Sequence, residues 1–349
     1  MIAAPTTPSR PSRLPTLPAA RRVSLRSRRA GWVAAGAVAA TALALAAARN
    51  HRLARKAERE NPPKGRFIEA RGTWLHYLEQ GEGRALVLLH GNGSQIEDFL
   101  SSGLIDEAAR THRVLAFDRP GYGHSDRPRR GPPTPERQAD LIAEALGKLG
   151  VERATVLGHS WGALVALALA RRHPGLVGAM VLESGYYYPT PRLDVPALSV
   201  PAVPVVGTVL RHAVLPDLNR ALWPLLLRWF FGPAPVPEKF EGFPREMSLR
   251  PSQMRSSALE SALMIPAALA ARGSYAGLRL PVAIVAGEGD RLVDPDSQAE
   301  RLHGEVPGSR LLRLPGIGHM AHQNATSVVT EAIGWASSES GMAARDQGG

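Results

Sequence analysis

Short apolar runs return again and again along this chain: ALVLLH (85–90), RVLAFD (113–118), ATVLG (154–158), AMVLE (179–183), VAIVAG (282–287) and RLLRL (310–314). A run that is apolar at successive positions suits a strand buried on both faces, the condition of a parallel sheet. Helix-like stretches at 135–149, 161–173 and 296–303 lie between most of them. Alternating β and α units imply an α/β fold, a mostly parallel sheet with helices on both faces. RFIEA and TWLHYLE, with Arg71 and Gly72 between them, read as a β-hairpin ahead of that series.

One interval breaks the rhythm. Residues 186–280 are rich in proline and contain helix-like stretches such as ALWPLLLRWFF. A structureless loop of that length does not suit a compact domain, so the segment is expected to be a helical cap inserted into a core of residues 65–185 and 281–335. Residues 336–349 are polar and Gly/Ser-rich, and are expected to form a flexible tail.

The chain has a formal charge of +11, which invites a nucleic-acid reading, but the distribution opposes it. Eleven basic residues and no acid precede Glu58, whereas the remaining chain holds 31 basic and 31 acidic residues. The excess belongs to a leader, and no nucleic-acid partner is expected. Residues 1–29 have the composition of a disordered segment. Residues 30–48, AGWVAAGAVAATALALAAA, are 19 positions without a charge. At about 1.5 Å per residue such a helix just spans a hydrocarbon core, so a single transmembrane signal anchor is expected there. RRVSLR at 21–26 loosely resembles an export signal, which leaves cleavage and export as an alternative, and an acid-free leader also resembles a transit peptide. Seven basic residues flank the run within about 20 residues on each side, so the positive-inside rule gives no orientation. There is no cysteine, which excludes disulfides, thiolate metal sites and a cysteine nucleophile. GYG at 121–123 completes no dinucleotide fingerprint.

The segment GHSWGA (158–163) places Ser160 between a predicted strand and a predicted helix. So sharp a turn strains the serine backbone and requires small residues two positions away, which Gly158 and Gly162 supply. A serine hydroxyl needs a base, and the base an orienting acid. GEGDRLV places Asp290 just beyond one predicted strand, and GIGHMAH places His319 just beyond the next. Ser, Asp, His is the chain order expected for such a sheet. His322 is the nearest rival base, and Asp294 and Asp296 are rivals of Asp290 on the same loop. HGNGS (90–94) follows a strand where a second oxyanion donor is expected, so the backbone N–H groups of Asn92 and Trp161 are assigned to the oxyanion hole.

The ordered motifs LLHGNG, DRPGYGHS, GHSWG, GEGD and GIGH make the chain resemble the α/β-hydrolase superfamily over about residues 65–335. The resemblance implies an eight-stranded sheet, a helical cap after the sixth strand, no cofactor and hydrolysis through an acyl-enzyme. HGN, with Trp after the nucleophile, looks like the haloalkane dehalogenase branch. Those enzymes and the epoxide hydrolases use Asp as nucleophile, so Ser160 favours acyl transfer.

Other residues carry blander expectations. His90 is expected to buttress its loop, and Asp118 with Arg119 to pin a turn. Tyr186, Tyr187 and Tyr188 suit a pocket lining or the core equally. Trp223, Trp229, Phe230 and Phe231 suit inner cap packing, with an apolar pocket or a membrane surface as alternatives. The expected activity is cleavage of an ester, thioester, amide or activated C–C bond in a small apolar molecule. A ligand-binding receptor on the same fold and a cofactor-free perhydrolase are the alternatives.

Overall fold

The computed structural model describes Met1 and residues 25–346, with side chains from residue 31 to 341. Most of the leader expected at 1–29, from residue 2 to 24, lies outside the described residues. Two compact units emerge, Met1–Ala42 and Leu43–Gly349. The helix Leu25–Glu60 contributes to both. Its stretch Gly31–Glu60 is long and apolar enough to cross a membrane, and Trp32, Val33 and Val38 are exposed.

The second unit is built on eight strands: β1 (Arg66–Ala70), β2 (Thr73–Gln80), β3 (Arg84–Leu89), β4 (His112–Phe117), β5 (Ala154–His159), β6 (Val177–Glu183), β7 (Val282–Gly287) and β8 (Arg310–Leu314). They form one sheet in the order β1-β2-β4-β3-β5-β6-β7-β8. β1, β2 and β4 pair antiparallel, and every other neighbouring pair is parallel.

The apolar runs have a physical reason. In β3, Val87 and Leu89 join one core cluster while Leu86 and Leu88 join another across the sheet. Ile284 and Val285 of β7 divide in the same way. Helices Pro135–Lys148 and Trp161–Arg172 cover the first face. Helices Ile96–Ser102, Leu104–Ala108 and Thr326–Asp346 cover the second. Each fully buried leucine in such a position stabilises the fold by about 1.5–3 kcal/mol. The first of these helices starts where Pro135 follows the N-cap Thr134, whose side chain accepts the Arg137 N–H.

Between β6 and β7 the chain forms helices, the longest being Leu215–Phe231 and Pro251–Ala271. The expected tail is corrected: residues 336–346 continue the helix Thr326–Asp346. Val329, Ala332, Ile333 and Ala336 form a buried helical stripe against the sheet. Ser337 is also buried. Its hydroxyl lies 2.9 Å from Thr155 Oγ1 and 3.0 Å from His112 Nε2, and its carbonyl accepts from Arg84 Nη1 at 2.7 Å. Tertiary packing outweighs the local Gly/Ser composition there.

Candidate active site

β5 ends at His159, and the helix Trp161–Arg172 begins two residues later. Ser160, between them, sits at φ 54°, a left-handed conformation that costs a non-glycine residue on the order of 1–3 kcal/mol. Its N–H donates to the Glu183 carbonyl at 2.8 Å, which ties the turn to the end of β6. A Cβ on Gly158 would lie 2.3 Å from the Gly162 carbonyl oxygen, and one on Gly162 would lie 2.1 Å from that of Leu89. The two glycines are therefore required by close approach of strand, helix and the end of β3.

The loop after β3 runs beside this turn. A Cβ on Gly91 would meet Ser160 Cβ at 3.2 Å. Asn92, the next residue, turns its side chain away: Nδ2 donates to Ser257 O and Ser261 Oγ, each at 3.2 Å, and Oδ1 accepts from Tyr122 at 3.0 Å. That leaves its backbone N–H as the donor of interest. Trp161 is the first residue of its helix, so its N–H has no intrahelical acceptor. His90 fixes the loop from below, with Nδ1 2.8 Å from the Gly91 carbonyl and Nε2 accepting the Arg119 N–H at 2.9 Å. Burial pushes this imidazole down to about 3, so it stays neutral. Arg119 is fully buried, donates to the carbonyls of His90 and Gly91, and forms a forked pair with Glu260 of the inserted segment. Asp118 accepts from the N–H groups of Ile96 and His124, each at 2.9 Å. Both residues hold loops in place.

Asp290 and His319 meet directly, Oδ2 to Nδ1 at 2.7 Å, with both side chains nearly buried. The other carboxylate oxygen accepts from the N–H groups of Leu292 at 2.8 Å and Val293 at 3.0 Å, which aims the first at the ring. The rival acids are engaged elsewhere. Asp294 accepts from Ser297 N–H at 2.9 Å, and Asp296 from Arg313 at 2.8 Å. The His319 N–H donates to the Phe230 carbonyl at 3.0 Å, so the inserted segment also positions the histidine. No hydrogen bond joins Ser160 Oγ to His319 among the described residues, and such contacts often tighten only when substrate binds. His159 does reach this histidine, with ring centroids 4.9 Å apart and Nε2 3.2 Å from its carbonyl oxygen.

His322 belongs to a second cluster, which the sequence reading did not anticipate. Glu183, the last residue of β6, accepts from both His322 N–H at 2.8 Å and Nδ1 at 2.7 Å. Asp98 Oδ1 lies 3.1 Å from Nε2 on the other side. All three side chains are buried. Burial opposes the charged ring, but the two carboxylates overcome it and push His322 up to about 10. Reciprocally, the histidine charge holds Asp98 and Glu183 below the usual carboxylate range against their own desolvation. Burial pushes the adjacent His159 down to about 4. One signal was available: a glutamate closes the otherwise apolar run AMVLE. Asp98, His159 and His322 place possible ligand atoms within 4.8 Å of one another. A metal would require neutral imidazoles, whereas His322 is held as a cation between acids.

The three tyrosines lie in the core, with the backbone N–H groups of Tyr187 and Tyr188 donating to Gln298 Oε1. Trp223 and Phe230 pack around Phe231, Phe240 and Met320, next to His319, while Trp229 is exposed.

Comparison with known proteins adds a family. The profile described as the alpha/beta hydrolase fold matches residues 84–325. The chain is similar to a 2-hydroxymuconate semialdehyde hydrolase of Pseudomonas putida, 35% identical over 126 residues, which is 36% of this chain and 45% of the relative. It is also similar to haloalkane dehalogenase 2 of Mycobacterium tuberculosis, 26% identical over 285 residues, 78% of this chain and 94% of that protein. A thermophilic esterase from Thermogutta terrifontis shares the fold with a TM-score of 0.64 and 20% identity over 77% of this chain and 97% of that one. The chain spans under half the length of the Pseudomonas putida semialdehyde hydrolase and of a second one, from Pseudomonas sp. strain CF600, of which it covers 48%.

Proposed function

The chain belongs to the α/β-hydrolase-fold family, and on that premise we propose that it is a serine hydrolase of carboxylesterase type with the triad Ser160, His319 and Asp290. The observation that carries this reading is the Asp290–His319 pair at 2.7 Å, with His319 packed against His159, the residue that precedes Ser160 on its positive-φ turn. Asp290 fixes the tautomer with the proton on Nδ1, so Nε2 is the free base. His319 accepts the Ser160 proton as Oγ attacks the substrate carbonyl. The Asn92 and Trp161 N–H groups hold the oxyanion, an effect worth about 3–4 kcal/mol per donor. Collapse expels the leaving group, which His319 protonates, and leaves an acyl-serine. Water, deprotonated by His319, then releases the acid and restores Ser160.

The substrate class is a small apolar ester, thioester, amide or activated C–C bond. Serine at the nucleophile position favours acyl chemistry over the reaction named for the dehalogenase relative. The residues 30–48 are assigned as the membrane anchor, supported by their length and exposed apolar side chains. A fluorophosphonate probe should label the folded protein at Ser160 and leave Ser160→Ala unlabelled. Equal labelling of both, or none of either, would sink the proposal.

A further inference from the structure

The helix Leu215–Phe231 has two apolar faces. Trp223, Leu227 and Phe230 point inward onto Phe231, Phe240 and Met320. On the other side Leu218, Leu222, Leu225 and Trp229 are all exposed, Leu225 at 62%. Their spacing of four, three and four residues puts them in one stripe. A surface helix normally turns charged and polar residues to water, and one that is apolar all round is normally covered. The preceding segment adds Leu193, Val203, Val205, Val206 and Val209, with Leu193 at 96% and Val205 at 77% exposure. Single exposed apolar residues are ordinary, but nine of them along two successive stretches of one inserted segment mark a contact surface.

Two observations say what covers it. First, the helix that carries the apolar run is fastened to this same region. Asn50, itself buried, donates through Nδ2 to the His212 carbonyl at 3.1 Å, and its Oδ1 accepts from Arg220 at 2.7 Å. Arg49 pairs with Asp217 at 3.1 Å. Ala48, the last residue of the run, therefore directly precedes the two residues that hold the inserted segment. Second, charge accompanies the stripe. A groove of about 720 Å³, bordered by Arg211 and His212 from the turn between the two apolar stretches, is lined by Arg127, Arg211, Arg250 and Arg255 against the two acids Glu58 and Asp126. Arg250 pairs with Glu58, whereas Arg127, Arg211 and Arg255 have no carboxylate partner among the described residues. Arg211 is buried; Nη1 donates to the Pro201 carbonyl and Nη2 to Thr208 Oγ1 at 3.1 Å, while its Nε has no hydrogen-bond partner. Burial and the neighbouring Arg255 charge hold both Arg127 and Arg211 below the usual guanidinium value. Such a cluster suits phosphate oxygens and is drawn to the surface of an anionic bilayer.

We propose that the Leu218–Trp229 stripe and the 193–209 segment seat in a lipid bilayer, with the arginine groove meeting phospholipid phosphates. An apolar face in the acyl boundary with basic groups at the headgroups is the pattern of an interfacial helix. Trp229 supplies the amphipathic ring common at that depth. The docking rests on residues 30–48 being the membrane segment and is independent of the chemistry at Ser160. Its consequence for that site is geometric: Phe230, one residue from the stripe, holds the His319 N–H.

The chain has no cysteine, so single-cysteine variants of the full chain give unambiguous labels. Leu222→Cys, Leu225→Cys, Val38→Cys and Glu152→Cys, each carrying a polarity-sensitive fluorophore, are reconstituted into vesicles of phosphatidylcholine or its equal mixture with phosphatidylglycerol. Glu152 is exposed at the amino-terminal end of β5 and serves as the aqueous reference. Labels at 222 and 225 should be blue-shifted, quenched by spin-labelled lipid, and several-fold less accessible to iodide than the label at 152. Anionic lipid should strengthen all three signals, and Arg255→Gln should remove that gain. Iodide access at 222 and 225 equal to that at 152, with only the 38 label lipid-quenched, overturns the docking while sparing the anchor. A 38 label that is fully aqueous removes the anchor and the docking together. Protection from iodide without lipid quenching means a second copy or another protein covers the stripe, which also overturns it. An unchanged anionic-lipid gain in Arg255→Gln overturns the phosphate assignment.

Discussion

His319 and His322 stand three residues apart, and each has a carboxylate oxygen 2.7 Å from Nδ1. Their surroundings give them opposite capacities. His319 has one carboxylate, Asp290, and its Nε2 forms no hydrogen bond among the described residues. In the proposed triad that unbonded nitrogen is the base. His322 has a carboxylate on each side, Glu183 and Asp98, and is wholly buried. The second acid converts a base into a permanent cation, since deprotonation would leave two buried negative charges facing each other. A histidine's partner count and access, not its proximity to an acid, decide whether it can act as a base.

The contrast breaks most directly at Asp290. In Asp290→Asn the tautomer preference is lost, and kcat on an ester substrate should fall about 10⁴-fold with the fold unchanged. The matching change on the other side is Glu183→Gln. It leaves a buried cation with only Asp98, and chemical denaturation should show a loss of about 3–5 kcal/mol. In protein that remains folded, kcat should stay within about tenfold of the parent. A collapse of kcat equal to that of Asp290→Asn, with stability intact, would merge the two clusters into one catalytic network.

The first cluster was legible in the sequence and the second was not. Asp290 and His319 follow successive predicted strands, so the topology of an α/β sheet indicates that they approach each other. Gly158 and Gly162 bracket Ser160 for a steric reason that spacing alone conveys. The pairing of Asp98 with His322 joins residues 224 positions apart across a helix and a loop with no shared motif. Only Glu183 left a trace, as a charge ending an apolar strand. Composition misled at the C-terminus, where glycine and serine suggested a tail, because the stripe from Val329 to Ala336 is apolar at helical spacing and finds a sheet face to cover. Exposure of Leu218, Leu222, Leu225 and Trp229 was equally hidden, since periodicity separates the faces of a helix without saying which one meets water.

The clamp on His322 also predicts a pH profile. Its folded value, about 10, lies above the unfolded value near 6.5. The stabilisation is therefore complete below pH 6.5 and is lost as pH rises toward 10. Urea denaturation midpoints should decline over that window. His322→Gln should be less stable at pH 6.5 but nearly flat above it. A parent curve that is level from pH 7 to 10 would remove the cation from the cluster.

The smallest effect is expected at His159, which touches both histidines: its ring centroid is 4.9 Å from that of His319 and 4.7 Å from that of His322. Its folded value, about 4, lies below the unfolded one, so the sign reverses. The unfolded chain takes up this proton first as pH falls, and stability is lost from pH 6.5 down toward 4. His159→Phe keeps a ring in the space and removes only the contact of Nε2 with the His319 carbonyl, a change of about 0.5–1.5 kcal/mol. Loss with falling pH should become shallower, since Asp98 and Glu183 still titrate at the acid end, and kcat should change by less than about tenfold. A neutral ring carries no charge between the clusters, so the kcat–pH profile should be the same in variant and parent. A shifted profile in His159→Phe would mean that this ring couples the two clusters, and the separation of the two sites would then be one of degree.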